Sequence, residues 1–216
     1  SNAPQAIADI FQRVGKEIDE LSQYHPDTKN HPGLRKGHVN FLGELMLGHL
    51  RYGTQGKNKL EYCHPFINRD TIPTRNLALA GNFNIVNSDD LFSMVGKEPN
   101  ENVRFSDLAA MIELMHTFLC KEDEASPQGM DIKKVLKKTL PYLDGGFHVG
   151  GLTGNGIGFV FRDAHGIRPS YYYINDEVVV AASERAAIRT TFNVGENEVQ
   201  ELMPGQALIV NELGEI

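Results

Sequence analysis

Phe147-His148-Val149-Gly150-Gly151-Leu152-Thr153-Gly154-Asn155-Gly156-Ile157-Gly158-Phe159-Val160-Phe161-Arg162 is the stretch that decides the fold class. Phe147–Thr153 and Ile157–Arg162 flank Gly154-Asn155-Gly156, which is hairpin chemistry, so two antiparallel strands are predicted. Downstream, Tyr171–Ile174 and Val178–Ala182 form a second strand pair around Asn175-Asp176, Ser183-Glu184 caps a helix to about Thr191, and Gln206–Asn211 is a last strand. Upstream the period is helical. Ile132, Val135, Leu136 and Leu140 line one face of 131–143, and Leu108, Met111, Ile112, Met115 and Leu119 line a helix opened by Ser106-Asp107. Asn87-Ser88-Asp89-Asp90 precede a short helix ending near Gly96. Residues 76–80 and 44–50 read as apolar strands, and 4–21 as an amphipathic helix with Ile7, Ile10, Phe11, Val14, Ile18 and Leu21 at helical spacing. Residues 22–40 hold Pro26, Pro32, Gly33 and Gly37, and a surface loop is predicted there. Helices and antiparallel strand pairs in blocks mean α+β, not a βαβ repeat.

The 216 residues carry 21 basic and 28 acidic side chains, a formal net charge of −7. That balance argues against a nucleic-acid footprint, which would be basic. No apolar run reaches the roughly 18 residues of a membrane span. Trp is absent, but 11 Phe and 7 Tyr are enough for a core. Two cysteines, Cys63 and Cys120, do not make a disulfide framework, and a reducing, cytoplasmic setting is expected. The eight histidines lack paired ligand spacing, so no metal site is expected. Ser1-Asn2-Ala3 reads as a cleavage scar, with 4–43 a helix and polar loop and 44–216 the functional domain.

Three positions can carry chemistry. Arg51 follows an apolar run and enters the Gly-rich turn Tyr52-Gly53-Thr54-Gln55-Gly56, where its planar fork can face a carboxylate. Asn82, with the N–H of Phe83, can donate twice to a developing oxyanion. Asp107 at a helix start can hold an ammonium group, although taken alone it reads as a helix-terminal acid. Asp163 and its neighbours in Arg162-Asp163-Ala164-His165-Gly166-Ile167-Arg168-Pro169 are expected to form a structural turn with internal ion pairs. Gly154-Asn155-Gly156-Ile157-Gly158 precedes a strand and not a helix, so it is no phosphate cradle.

In order along the chain, these motifs resemble the class II glutamine amidotransferases, most closely the amidophosphoribosyltransferase family. The resemblance covers roughly residues 44–210. It rests on Gly48-His49-Leu50-Arg51-Tyr52-Gly53-Thr54-Gln55-Gly56, His64-Pro65-Phe66, Gly81-Asn82-Phe83-Asn84, Ser106-Asp107, Asp144-Gly145-Gly146-Phe147, Phe161-Arg162-Asp163 with Gly166-Ile167-Arg168-Pro169, Ala182-Ser183-Glu184 and Pro204-Gly205. It implies an N-terminal-nucleophile hydrolase fold, an αββα sandwich of two antiparallel sheets, here incomplete at the N-terminus. An N-terminal Cys in that family attacks the glutamine side-chain amide with its own α-amino group as base. By this resemblance Arg51 binds the glutamine α-carboxylate, Asp107 its α-ammonium, and Asn82 and Phe83 form the oxyanion hole. Tyr52 and Thr54 help to close the pocket. Ammonia then passes to a phosphoribosyltransferase domain, where magnesium is expected, for the amination of phosphoribosyl pyrophosphate in purine synthesis.

The sequence departs from the family pattern in three ways. Neither Cys63 nor Cys120 is near a chain start, Phe83 replaces the usual Gly, and no second domain follows Pro204-Gly205. An inactive, self-associating glutaminase fragment, a homo-oligomer, is therefore expected. Glutaminase domains of asparagine synthetase or hexosamine synthase are the alternatives within the family, and a non-catalytic ligand-binding relative is the alternative outside catalysis.

Overall fold

A computed structural model of the chain describes residues 5–50, 63–96, 107–126 and 129–216. They fall into two compact units, 5–46 and 47–50 with 63–216. No described helix is long and apolar enough to cross a membrane.

The first unit is helical. Helix α1 is Ala6–Tyr24, a 3₁₀ turn follows at Pro26–Asn30, and helix α2 is Pro32–His38. The surface loop expected over 22–40 is thus largely helical. Pro26 and Pro32 each stand at a first helical position, where a fixed φ and a missing N–H cost nothing. The Thr28 hydroxyl donates to His25 O (2.6 Å), and Arg35 Nε donates to Thr28 O (2.8 Å), so the 3₁₀ turn is tied to α2. The strand expected over 44–50 is not formed. Leu45, Met46 and Leu50 are exposed there, and no described strand offers the stretch a ladder.

The second unit holds two antiparallel sheets. Strands β1 (Phe66–Asn68), β2 (Leu77–Ile85), β3 (Gly145–Thr153), β4 (Gly158–Arg162) and β8 (Ala207–Val210) pair in the order β1-β2-β3-β4-β8. Strands β5 (Tyr171–Ile174), β6 (Val179–Ala182) and β7 (Gln200–Glu201) pair as β6-β5-β7. The hairpin read from Gly154-Asn155-Gly156 is β3–β4, and β2 runs on past Ala80 to Ile85. With three and two residues, β1 and β7 are too short to set up a period in the sequence.

Odd-numbered residues of the large sheet face one core. Leu77, Leu79, Ile85, Phe147, Val149, Phe159 and Phe161 pack against helices α3 (Ser88–Val95), α4 (Asp107–Ala125) and α5 (Ile132–Thr139). The helical spacing read in the sequence supplies the other half of that core, with Leu108, Met111, Met115 and Leu119 fully buried. Buried Glu122 joins α4 to α5 and the turn after α4. The Ser126 hydroxyl and the Lys138 and Lys134 ammonium groups bond it and hold its carboxyl down at about 2. On the small sheet, helix α6 (Arg185–Phe192) buries Ile188, sets the Phe192 ring tilted against Tyr173 and ends at Asn193 in the left-handed region (φ 52°).

The even-numbered face carries the link between the sheets. Arg162, buried at the end of β4, donates to Glu201 Oε1 (2.7 Å), Leu202 O (2.6 Å), Arg168 O (2.6 Å) and Gly166 O (2.9 Å). Its neighbour Asp163 is fully buried and accepts four backbone N–H groups, from Ile167 and His165 at Oδ1 and from Arg168 and Phe147 at Oδ2. Gly166, at φ +66°, makes the turn that converges them. The internal ion pairs expected here are therefore replaced by a carboxylate satisfied by backbone and a guanidinium spent mostly on carbonyls. Burial opposes ionisation of Asp163, but the four N–H groups outweigh it and hold its carboxyl below the usual range. Beside Arg162 on the same face lies His148, also buried; burial first, and the Arg162 charge second, hold it neutral down to about 4.

These buried groups set two measurable outcomes. Asp163→Asn turns an acceptor oxygen into a donor facing N–H groups, and should cost about 3 kcal/mol of stability in urea unfolding. Because the native carboxyl titrates below its unfolded value of about 3.9, its contribution is complete above that pH and disappears only as pH falls through the lower native value. For His148 the unfolded chain binds a proton near pH 6.5 and the native one only at about 4. Its contribution is complete above about pH 6.5 and shrinks as pH falls toward 4, and its ring C–H resonances should not titrate between about pH 8 and 5. A midpoint near 6.5 in NMR titration would contradict the burial argument.

Candidate functional site

The site is built on the edge of β2 that faces away from β3. Backbone phase decides which groups point there. Val86 N–H donates to Asp144 O on the β3 side (2.9 Å), so even residues of β2 turn toward β3 and odd residues toward the β1 side. Strand β1 covers that edge only at Leu77–Leu79. Beyond it three odd N–H groups need partners. Gly81 N–H meets His64 Nδ1 at 3.5 Å, a long contact, and Ile85 N–H donates to Asp107 Oδ2 at 2.8 Å. Phe83 N–H lies between them on the same edge, and no described residue accepts it.

The Phe83 backbone is ordinary strand in a continuous β2, with none of the positive φ that would call for glycine. A phenylalanine therefore fits where the resembled family has glycine. Its ring stacks on His64 (centroids 5.5 Å, interplanar 16°), and His64 in turn lies edge-on to Phe66 and 4.3 Å from the His49 ring. Asn82 is exposed on the opposite face, paired in register with His148. Its side chain is open to a ligand.

Asp107 is the first residue of α4. Its carboxylate is half-buried, and burial raises its pKa against the opposing Ile85 N–H bond. A carboxylate desolvated in this way gains by meeting a cation. Ile85 and Phe83 are two residues apart, about 7 Å along a strand. A glutamine spans roughly 5 Å between its α-nitrogen and its side-chain amide carbon. The edge therefore offers an anion for one end of an amino acid and, for the other, an N–H that no described residue takes up.

The structure brings Asn82, Phe83 and Asp107 to one end of β2. Arg51, Tyr52 and Thr54 lie outside the described residues. His64 lies at the edge and His148 stands opposite Asn82 on β3, neither with a role assigned from the sequence. His64 stood next to Cys63 as an unpromising dyad, yet it is the residue that continues the edge where β1 stops.

No family model matches the chain. Among curated proteins it is similar to the amidophosphoribosyltransferases of Archaeoglobus fulgidus (28% identical over 170 residues, 79% of this chain and 34% of the relative) and Bacillus subtilis (29% over 175 residues, 80% and 33%). The similarity to the Pseudomonas aeruginosa amidophosphoribosyltransferase, 25% identical, extends over 100% of this chain and 45% of that one. Among solved structures it resembles glutamine phosphoribosylpyrophosphate amidotransferase from B. subtilis in complex with ADP and GMP (TM-score 0.57, 26% identical, 77% of this chain and 32% of that one). It also resembles a structure described as the allosteric regulatory enzyme of purine biosynthesis (TM-score 0.58, 27% identical, 77% and 33%). The chain spans about a third of the length of the first of these relatives. Likeness in sequence and in fold coincide: the chain is similar to the amidophosphoribosyltransferases over most of its length, with the α+β fold of the N-terminal-nucleophile hydrolases.

Proposed function

We propose that this chain forms the glutamine-binding part of a glutaminase site in a cytoplasmic amidophosphoribosyltransferase, whose ammonia aminates phosphoribosyl pyrophosphate on a phosphoribosyltransferase domain. The observation that carries the reading is at the β2 edge: a half-buried Asp107 carboxylate on Ile85 N–H and, two residues or about 7 Å back along the strand, a Phe83 N–H that no described residue accepts. Asp107 takes the glutamine α-ammonium. Arg51 takes the α-carboxylate, with Tyr52 and Thr54 beside it. Phe83 N–H and the Asn82 side-chain amide meet the oxygen of the side-chain amide, where negative charge develops.

The chemistry this arrangement serves is acyl transfer. A cysteine thiolate adds to the amide carbon, and the carbonyl oxygen becomes an oxyanion held by Asn82 and Phe83. The C–N bond breaks as nitrogen takes a proton and leaves as ammonia. Water then splits the thioester to glutamate and frees the thiol. The nucleophile in this mechanism uses its own α-amino group as base. Cys63 and Cys120 are internal and have no free α-amine, so neither fills the role.

Calorimetry with L-glutamine tests the reading. Asp107→Asn should weaken binding at least tenfold, because it removes the partner of the ammonium. Asn82→Ala should change it by less than about threefold, because its donor acts mainly on the transition state. Affinity should fall as pH drops through the raised pKa of Asp107, where the protonated acid no longer pairs with the ammonium. Glutamine binding indifferent to Asp107→Asn would overturn the assignment.

A further inference from the structure

Helix α4 carries a second cluster in its C-terminal half. His116 and Cys120 are four residues apart, so their side chains stack on one helix face. Asp70, two residues beyond β1, reaches the same place. His116 Nε2 lies 3.5 Å from Asp70 Oδ2, Cys120 Sγ 3.7 Å from His116 Nε2, and Cys120 Sγ 3.9 Å from Asp70 Oδ2. One nitrogen, one oxygen and one sulfur thus form a nearly equilateral triangle. Tetrahedral zinc, with Zn–S about 2.3 Å and Zn–N and Zn–O about 2.1 Å, sets its ligand atoms about 3.4–3.6 Å apart. Closing the triangle onto an ion needs shifts of about 0.3 Å or less.

We propose that Asp70, His116 and Cys120 bind one zinc ion, with the fourth position left to water or an added ligand. The surroundings are arranged for it. Asp70 Oδ1 is already spent on Ile72 N–H (2.9 Å) and the Thr71 hydroxyl (3.3 Å), which orients Oδ2 toward the cluster. Arg75, in the same loop, donates to Asp123 (2.8 Å) and Glu124 (3.3 Å) on α4, and so clamps the Asp70 segment to the helix. Asp123 and Glu124 take the Arg75 charge, which leaves the Asp70 carboxylate for the cluster. A thiolate and an imidazole in the donor set select zinc over magnesium or calcium, which take oxygen.

A Cys–His–Asp nucleophile is the competing chemistry for these residues. Burial first, and the Asp70 carboxylate second, push the Cys120 thiol up, the opposite of what a nucleophile needs. A bound cation reverses that balance. The cluster is also separate from the glutamine edge. Along α4, His116 is nine residues from Asp107, about 14 Å.

Zinc(II) and cobalt(II) alone are the probes, added to the full chain. Native mass spectrometry should find one zinc per chain, removed by a chelator. Zinc should raise the melting temperature and the chelator should return it. Cobalt should give visible bands of a tetrahedral site and a near-ultraviolet thiolate-to-cobalt band. Cys120→Ser should abolish that band and weaken zinc binding more than tenfold. His116→Gln and Asp70→Asn should weaken zinc to a similar degree, and Cys63→Ser should change nothing. Absence of the thiolate band in the folded wild-type chain would overturn the proposal, as would its survival in Cys120→Ser. Zinc uptake indifferent to all three variants would do the same. If Cys120→Ser does not fold, the wild-type cobalt spectrum and the Asp70→Asn affinity decide.

Discussion

A backbone N–H at a sheet edge must find an acceptor or stay open to one, and the architecture of this chain turns on how β2 meets that demand. Strand β1 covers three of its residues and stops. Past Leu79 side chains take over the edge, His64 at Gly81 and Asp107 at Ile85. Had β1 run on, Phe83 N–H would be tied into a ladder and no donor would be left. Had Asp107 not reached Ile85, a buried N–H would stand unpaired at a cost of about 1–3 kcal/mol. The Asp107 carboxylate thus closes the edge at one end, beside the Phe83 donor.

The rigidity this needs comes from the far side of β3, level with Asn82 and Phe83. Arg162 and Asp163 are adjacent in sequence and use opposite chemistry. The cation is directed mainly at carbonyl oxygens and the anion at N–H groups. Through Phe147 N–H, Asp163 grips β3, which is the strand that pairs along the whole of β2. Through Leu202 O and Glu201, Arg162 grips the segment that forms β7 of the small sheet. A charged turn with Gly-Pro punctuation was readable from the sequence as structural. Its wiring was not, because nothing in a linear pattern tells a carboxylate whether the nearest donor is a guanidinium or a peptide.

The same limit governs what was legible elsewhere. Helices α3, α4, α5 and α6 and the β3–β4 and β5–β6 hairpins follow from spacing and turn residues, because each is long enough to repeat its period and is bounded by caps. Strands β1 and β7 exist only because a neighbour offers them a ladder. Residues 44–50 show the converse, an apolar run that no described strand pairs. Pro32 looked like a breaker and is a helix start, a distinction that depends on which side of the proline the helix lies. At the site, Asn82 and Asp107 were readable as a strand-end amide and a helix-start acid, whereas the bond that seats Asp107 on Ile85, three residues beyond Asn82 in β2, is a fact of packing. His148 and the Asp70, His116 and Cys120 triangle were not readable in that way. Alternation buries a histidine between Asn82 and Arg162, and the His-x-x-x-Cys spacing gains its third member only from a loop far away in sequence.

Helix α4 connects the β2 edge, the proposed glutamine site, to the distal cluster. Its 19 residues span about 28 Å, close to the roughly 30 Å of the nine-residue β2 on which it lies. It starts beside Ile85, at the end of β2, and its last turns stand beside Arg75, just before β2 begins, so helix and strand run in opposite directions. Two polar clamps therefore fix the helix at its two ends, Asp107 on Ile85 N–H and the acid-rich last turns on the Asp70–Arg75 loop. Apolar packing between them is tolerant of sliding, since Leu, Met and Ile side chains can exchange places at modest cost. Polar clamps are not, because a slip of one residue moves a side chain 1.5 Å and turns it by about 100°. An additional ligand bond at His116 and Cys120 would tighten the distal clamp, and through a rigid helix would hold the Asp107 carboxylate at its station on the β2 edge. Stability at one end of α4 and ligand geometry at the other are in this way the same constraint.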